Sequence, residues 1–366
     1  MRGPKVPEYM HKVAVYVPGK PIEEVERELG VTGIVKLASN ENPLGSSPKA
    51  IAAVQKALST VNRYPDGGGY ALRRAIAERQ GVDLDQVILG NGSVEIIEML
   101  SRAYVEDGDD VVMSQQSFVS YEIAVRQVNG NAIAVPARPD RGHDLDAIAA
   151  AVTGRTKLIY LANPCNPTGT YFTRAELDAL LERVGDEVLV VLDQAYLEYV
   201  DKPDYPDGLQ DLKRGRNVIV LRTFSKIYGL AGLRIGYGLA APEVIATLNR
   251  VRSPFNTSSL AQAAALAALD DAEWAAYSRE HNLRELDFMH AELARRGVRF
   301  TPSVCNFVLI ELDADIRALF VEFQKQGVIL RPQGGPGLAN CARVSIGTRE
   351  ENEKFLRVLD RLVLGA

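Results

Sequence analysis

Between Ile51 and Leu248 short apolar runs alternate with amphipathic stretches of helical period, and no other feature of the chain restricts its fold so sharply. Runs that stay apolar at consecutive positions, without the polar alternation of a half-solvated strand, read as strands buried on both faces. The amphipathic stretches between them read as crossover helices. The expected fold class is therefore α/β, a mostly parallel sheet covered by helices. Sheets of this kind bind ligands beyond the carboxyl ends of their strands, so the residues after each run are the first place to look for chemistry.

Val218 to Leu221 is one such run, and it leads into Arg222-Thr223-Phe224-Ser225-Lys226-Ile227-Tyr228-Gly229-Leu230-Ala231-Gly232-Leu233-Arg234. A lysine in a Ser-Lys pair is by itself an ordinary surface charge. Just past a buried strand, partial desolvation lowers its pKa and leaves a nucleophilic amine. Hydroxyls at Thr223 and Ser225 and the guanidinium of Arg234 supply donors for a phosphate on the molecule that the amine attacks. Pyridoxal 5'-phosphate, an aldehyde that carries a phosphate, fits that set.

Other strand ends add to it. Val188 to Leu192 ends in Asp193-Gln194-Ala195-Tyr196. A carboxylate there would keep a pyridine nitrogen protonated and Tyr196 would bond the ring's phenolic oxygen; an aspartate that caps the next helix is the other reading. Leu158 to Ala162 precedes the rigid turn Asn163-Pro164-Cys165-Asn166-Pro167-Thr168-Gly169, from which Asn166 could donate to the same oxygen. Val87 to Leu89 precedes Gly90-Asn91-Gly92-Ser93-Val94, ahead of a helix from Ile96 to Tyr104 whose amino terminus attracts an anion. Phe118, after the strand Val111 to Met113, could lie flat on the ring, and is otherwise core.

At 366 residues and 46% apolar content the chain is long enough for a major and a minor domain. The expected division is a large domain over 34–270 and a small α+β domain from 1–33 and 271–366. In the latter, Val298 to Thr301, Phe307 to Leu312, Val328 to Leu330 and Ala342 to Ile346 read as strands. Ile316 to Gln326 and Glu350 to Leu364 read as helices, after a helical passage from Leu260 to Arg296. A net charge of −5 with interspersed signs offers no basic footprint for nucleic acid. The opening Met1-Arg2-Gly3-Pro4-Lys5 has no apolar signal segment and no apolar run reaches membrane-spanning length, so a cytoplasmic protein is expected. Cys165, Cys305 and Cys341 read as reduced thiols. Neither they nor His11, His143, His281 and His290 are spaced as metal ligands, and no metal is expected.

Several motifs run in one order from about Tyr16 onward. They are Leu37-Ala38-Ser39-Asn40-Glu41-Asn42-Pro43-Leu44-Gly45, Arg63-Tyr64-Pro65-Asp66, Gly90-Asn91-Gly92-Ser93, Asn166-Pro167-Thr168-Gly169, Asp193-Gln194-Ala195-Tyr196, Ser225-Lys226 with Arg234, and Arg343-Val344-Ser345-Ile346-Gly347-Thr348. In these the chain resembles the fold-type I pyridoxal-phosphate aminotransferases, and within them most of all the histidinol-phosphate aminotransferases. The resemblance implies that Lys226 forms the covalent link to the cofactor and later shuttles a proton. It assigns Asp193 to the pyridine nitrogen, Tyr196 and Asn166 to the ring oxygen, and Phe118 to the ring face. Ser93, the Val94 amide, Thr223, Ser225 and Arg234 would hold the phosphate, joined by Tyr64 from a second subunit, so the implied unit is a homodimer. Three positions depart from the usual family pattern: Val94 stands for an acidic residue, Phe118 for a tyrosine and Gln194 for a glutamate.

Arg343 and Arg331 lie on neighbouring expected strands, and a planar guanidinium grips a carboxylate or a phosphate two-pronged. By analogy with the family they bind substrate, with Tyr16 and Asn40 lining the entrance. The implied reaction moves an amino group from L-histidinol phosphate to 2-oxoglutarate in histidine biosynthesis. An aromatic amino acid aminotransferase is the alternative; a phosphothreonine decarboxylase and a catalytically silent cofactor-binding regulator are more distant ones.

Overall fold

A computed structural model describes residues 3–365; Met1 and Arg2, which begin the stretch without an apolar signal, and Ala366 lie outside it. Seven strands form the large sheet in the order Val87–Gly90, Gly236–Leu239, Val218–Thr223, Leu189–Asp193, Thr156–Ala162, Asp110–Ser114 and Asn131–Val135. Only Gly236–Leu239 runs against its neighbours; the other pairings are parallel. Successive side chains of a strand point to opposite faces, and each face here meets a helical layer. Val218, Val220, Val190 and Leu192 join one core with Leu177 and Leu180, whereas Ile219, Leu221, Leu189 and Val191 join the other with Ile97 and Leu100. Each fully buried side chain of this kind contributes roughly 1.5–3 kcal/mol, which explains why the middle of each central strand is apolar.

Helix boundaries differ from the sequence reading, two of them by several residues and for reasons the structure shows. The helix expected from Ile96 begins at Ser93, because the turn ends at Gly92 in a positive-φ conformation (75°) rather than at the first apolar residue. The single passage expected from Leu260 to Arg296 is two helices, Ser259–Leu269 and Ala272–Arg295, parted at Asp270-Asp271. Asp271 is buried there and accepts a hydrogen bond of 2.5 Å from the Ser47 hydroxyl, which itself caps the helix Pro48–Ala57 through the Ala50 amide.

The small domain holds an antiparallel sheet in the order Arg331–Pro332, Cys341–Ser345, Phe307–Glu311 and Arg299–Thr301. Beside it Val35–Lys36 pairs in parallel with Val328–Ile329. The expected divide at 33/34 falls within reach of this pairing. The Leu37 amide donates to the Ile329 carbonyl and the Leu37 carbonyl accepts from the Ser345 amide, both at 2.8 Å, so Leu37 ties both smaller sheets together. The leading segment is shared between the domains. Ile22, Val25 and Leu29 of the helix Ile22–Leu29 pack around Ile329 and Phe320, but the turn Glu8–Lys12 lies against the large domain's helix Ser120–Gln127. No helix among the described residues is long and apolar enough to cross a membrane.

Candidate active site

A cavity of about 800 Å³ opens between the domains at the carboxyl rim of the large sheet. It is lined by Tyr16, Asn40, Ser93, Val94, Phe118, Asn166, Asp193, Tyr196, Thr223, Ser225, Lys226, Arg234, Arg331 and Arg343. Of the residues singled out in the sequence only Tyr64 is elsewhere. It is 83% exposed on the outer surface, stacked on Phe255 with ring centroids 4.7 Å apart.

One end of the cavity is built for an anion. The helix Ser93–Tyr104 starts there with no side-chain cap, so its first amides are free to donate outward. Thr223 Oγ1 donates to Ser225 Oγ at 3.0 Å, and Arg234 Nη1 lies 3.3 Å from that same oxygen. Arg234 itself takes the left-handed conformation (φ 55°), which turns the guanidinium back toward the helix start. Only glycine leaves room for it: a Cβ on Gly92 would come 2.5 Å from Arg234 Nη2.

The centre is set by three strand ends. Asp193, the last residue of the 189–193 strand, is buried, accepting from the Tyr121 hydroxyl at 2.7 Å and from the Ala195 amide at 3.2 Å. Burial pushes its pKa up, and the Tyr121 hydroxyl, the Ala195 amide and the Lys226 charge pull it back. Such a carboxylate gains most from a cationic N–H partner in the cavity. Lys226 Nζ lies 3.4 Å from the Ser39 carbonyl and 5.5 Å from the Tyr196 ring centroid. Desolvation first, and the Arg343 charge second, depress the Lys226 amine to about 8. Phe118 forms one wall, edge-on to Tyr121 at 5.6 Å, and Tyr121 stacks on Tyr160 at 4.6 Å.

The opposite side is cationic. Arg331 and Arg343 are direct partners across the antiparallel pair of strands, and neither makes an ion pair among the described residues. Arg343 donates to Asn166 Oδ1 at 2.5 Å and to the Ala38 carbonyl at 2.7 Å, and its buried Nε has no partner. Arg331 donates to the Val17 carbonyl at 2.8 Å, and its guanidinium lies 5.8 Å from the half-exposed Tyr16 ring. Asn40, expected at the entrance, sits deeper: it is 1% exposed at the seam between the domains, bonded to Tyr196 and Ser345.

An uncapped helix start beside a guanidinium, a buried acceptor-only carboxylate and a desolvated amine fit the phosphate, ring nitrogen and aldehyde of pyridoxal 5'-phosphate. Residues 32–359 match the sequence model of the aminotransferases of class I and II. The chain belongs to that family. Its relatives include a histidinol-phosphate aminotransferase of Anaeromyxobacter sp., 50% identical over 364 residues that cover 99% of this chain and all of that one. Another, from Moorella thermoacetica, is 48% identical over 98% of this chain and 93% of its own. A solved structure of the histidinol-phosphate aminotransferase from Sinorhizobium meliloti, in complex with pyridoxal-5'-phosphate, superposes with a TM-score of 0.91 at 28% identity, covering 100% and 99% of the two chains. The protein is thus an aminotransferase of fold type I.

Reading the sequence alone missed Tyr121, Ser345 and the Ser39 carbonyl. For Tyr121 a signal existed: it follows Phe118 by three residues, the spacing that puts two side chains on one face of a helical turn. Ser345 likewise lies two residues past Arg343 on a strand, hence on the same face. The Ser39 carbonyl leaves no trace in residue type.

Proposed function

We propose that this enzyme is a pyridoxal-5'-phosphate-dependent histidinol-phosphate aminotransferase, exchanging an amino group between L-histidinol phosphate and 2-oxoglutarate in histidine biosynthesis. The observation that carries the reading is the pair Arg331 and Arg343, two guanidiniums without a carboxylate partner facing a desolvated lysine. A transaminase must admit two substrates by one door. Glutamate presents a carboxylate and histidinol phosphate a phosphate, and a planar guanidinium binds either. The identity of about half of all positions to named histidinol-phosphate aminotransferases supports the same substrate.

When bound, the cofactor supplies an aldehyde that condenses with amines and a ring that withdraws electrons from the neighbouring carbon. The chain's own residues do the rest. Arg234, Thr223, Ser225, Ser93 and the Val94 amide hold the phosphate, and Asp193 keeps a proton on the ring nitrogen. Tyr196 and Asn166 bond the ring oxygen, and Phe118 covers the ring face. Lys226 Nζ would hold the aldehyde and, as a free amine, take the proton from the substrate's α-carbon; an amine near 8 is neutral in a useful fraction at working pH. Arg343 grips the anion of both substrates and Arg331 mainly the phosphate.

The working unit in this reading is a homodimer in which Tyr64 completes the neighbouring subunit's phosphate site. The exposed aromatic pair Tyr64–Phe255, with Val61 and Leu58 also exposed nearby in the chain, supports that arrangement. A cytoplasmic setting accords with three free cysteines, all buried. The test is amino transfer from L-histidinol phosphate compared with L-phenylalanine. A larger specificity constant for phenylalanine would replace the proposed substrate with an aromatic amino acid.

A further inference from the structure

Asn40 takes the left-handed conformation that asparagine tolerates better than most residues (φ 54°), and every one of its polar groups is engaged inside the protein. Its amide donates to Ser345 Oγ at 2.8 Å, and its carbonyl accepts from Asn306 Nδ2 at 3.0 Å. Ser345 Oγ, having accepted from that amide, donates its own proton to Asn40 Oδ1 at 3.1 Å. The carboxamide therefore has one allowed orientation. Its Nδ2 faces Tyr196 and donates to the phenolic oxygen at 2.9 Å. Tyr196 OH is thus an acceptor on the protein side and donates to no group among the described residues, although it is buried at the cavity wall. A hydroxyl that accepts from behind must direct its proton forward.

We propose that Ser345, acting through Asn40, is a positioning residue that sets the polarity of the Tyr196 hydroxyl, forcing its proton toward the cavity and the ring oxygen bound there. The chain of bonds crosses from the small-domain strand Cys341–Ser345 to the large-domain rim, so the strand that carries Arg343 also orients the phenol. The inference rests on the assignment of Tyr196 to the ring oxygen. Without the Ser345 hydroxyl the carboxamide is free to turn over. Oδ1 would then face Tyr196 and take the phenol's proton, and the ring oxygen would lose its donor.

A donor on that oxygen stabilises its anion, so losing the donor raises the pH at which the bound cofactor's visible absorbance titrates. The experiment is that absorbance titration, without substrate, on the cofactor-loaded parent, Ser345→Ala, Tyr196→Phe and the double variant. Tyr196→Phe is expected to raise the midpoint. Ser345→Ala is expected to raise it by about half a pH unit to one unit, as one hydrogen bond is worth. In the Tyr196→Phe background the Ser345 effect is expected to vanish, because its route runs through the phenol. An unchanged midpoint in Ser345→Ala, or an equal shift in both backgrounds, overturns the proposal and leaves Tyr196 assigned. A flat response to Tyr196→Phe overturns the assignment beneath it as well. Should Ser345→Ala not fold, the isosteric Asn40→Asp is judged by the same criterion: its shift must shrink in the Tyr196→Phe background.

Discussion

In the proposed reaction Lys226 and the arginine pair define the chemistry one side chain at a time. An amine depressed to about 8 binds fewer protons in the folded apo-protein than in the unfolded chain between pH 8 and the ordinary lysine value, so its burial destabilises the apo-protein below pH 8 and the penalty fades as pH rises. Replacing it by an apolar residue of similar length should therefore stabilise the apo-protein near pH 7. That advantage should narrow steadily between pH 8 and 10.5, as thermal unfolding of Lys226→Met beside the parent would show. For the arginines, a hydrogen bond to a charged group is worth about 1.5–3 kcal/mol, or roughly 10- to 100-fold in a specificity constant. Arg343→Ala should lower both half-reactions by that order, and Arg331→Ala the histidinol-phosphate half-reaction more than the glutamate one. Equal losses in Arg331→Ala, measured by single-turnover absorbance, would count against the division of labour.

At the scale of elements, the partly exposed edge strand Asn131–Val135 and the glycine-containing Gly236–Leu239 carry no unbroken run of large apolar residues and went unread. The other five of the seven strands of the large sheet were legible to within a residue or two because buried strands are apolar throughout and the run itself marks them. Residues at their ends, Lys226, Asp193 and Asn166, were legible for the same reason: the fold's rim puts them in one place. What stayed hidden depended on partners distant in sequence. The Asp270-Asp271 pair before Ala272 is a helix-start signal that went unread, and its second anchor, Ser47, lies far away in sequence. Asn40 reads as a polar residue of a loop, and only Ser345 and Tyr196 reveal it as a buried one. The glycine turn before the phosphate-facing helix carries a prediction of its own. A Cβ at Gly92 meets Arg234 Nη2 at 2.5 Å, and φ 75° with ψ 167° is a region almost closed to side chains, at a cost of about 1–3 kcal/mol. Gly92→Ala is expected to weaken cofactor binding about tenfold or more beyond that loss of stability, readable as the pyridoxal phosphate concentration that half-saturates the visible band.

For the molecule as a whole, the exposed Tyr64 gives the proposed dimer a functional test. Lys226→Ala lacks the amine but keeps Tyr64, and Tyr64→Ala keeps the amine. In a hybrid dimer one of the two sites receives both. Mixing the two variants after mild dissociation should restore activity toward about a quarter of the parent level, the share of intact sites when subunits pair at random and neither variant is active alone. A mixture no more active than the average of its parts would place Tyr64 outside the working site.

The parallel pairing of Val35–Lys36 with Val328–Ile329 couples segments nearly the whole chain apart. During synthesis the residues of the large sheet emerge and can close their cores first, while the early strand waits for a partner made much later. On that order the small domain would settle last, and the cleft between the two halves would take form only then. A nascent chain released early would own a nearly finished platform with Lys226 upon it, yet lack Arg331 and Arg343, the two guanidiniums that line the facing wall.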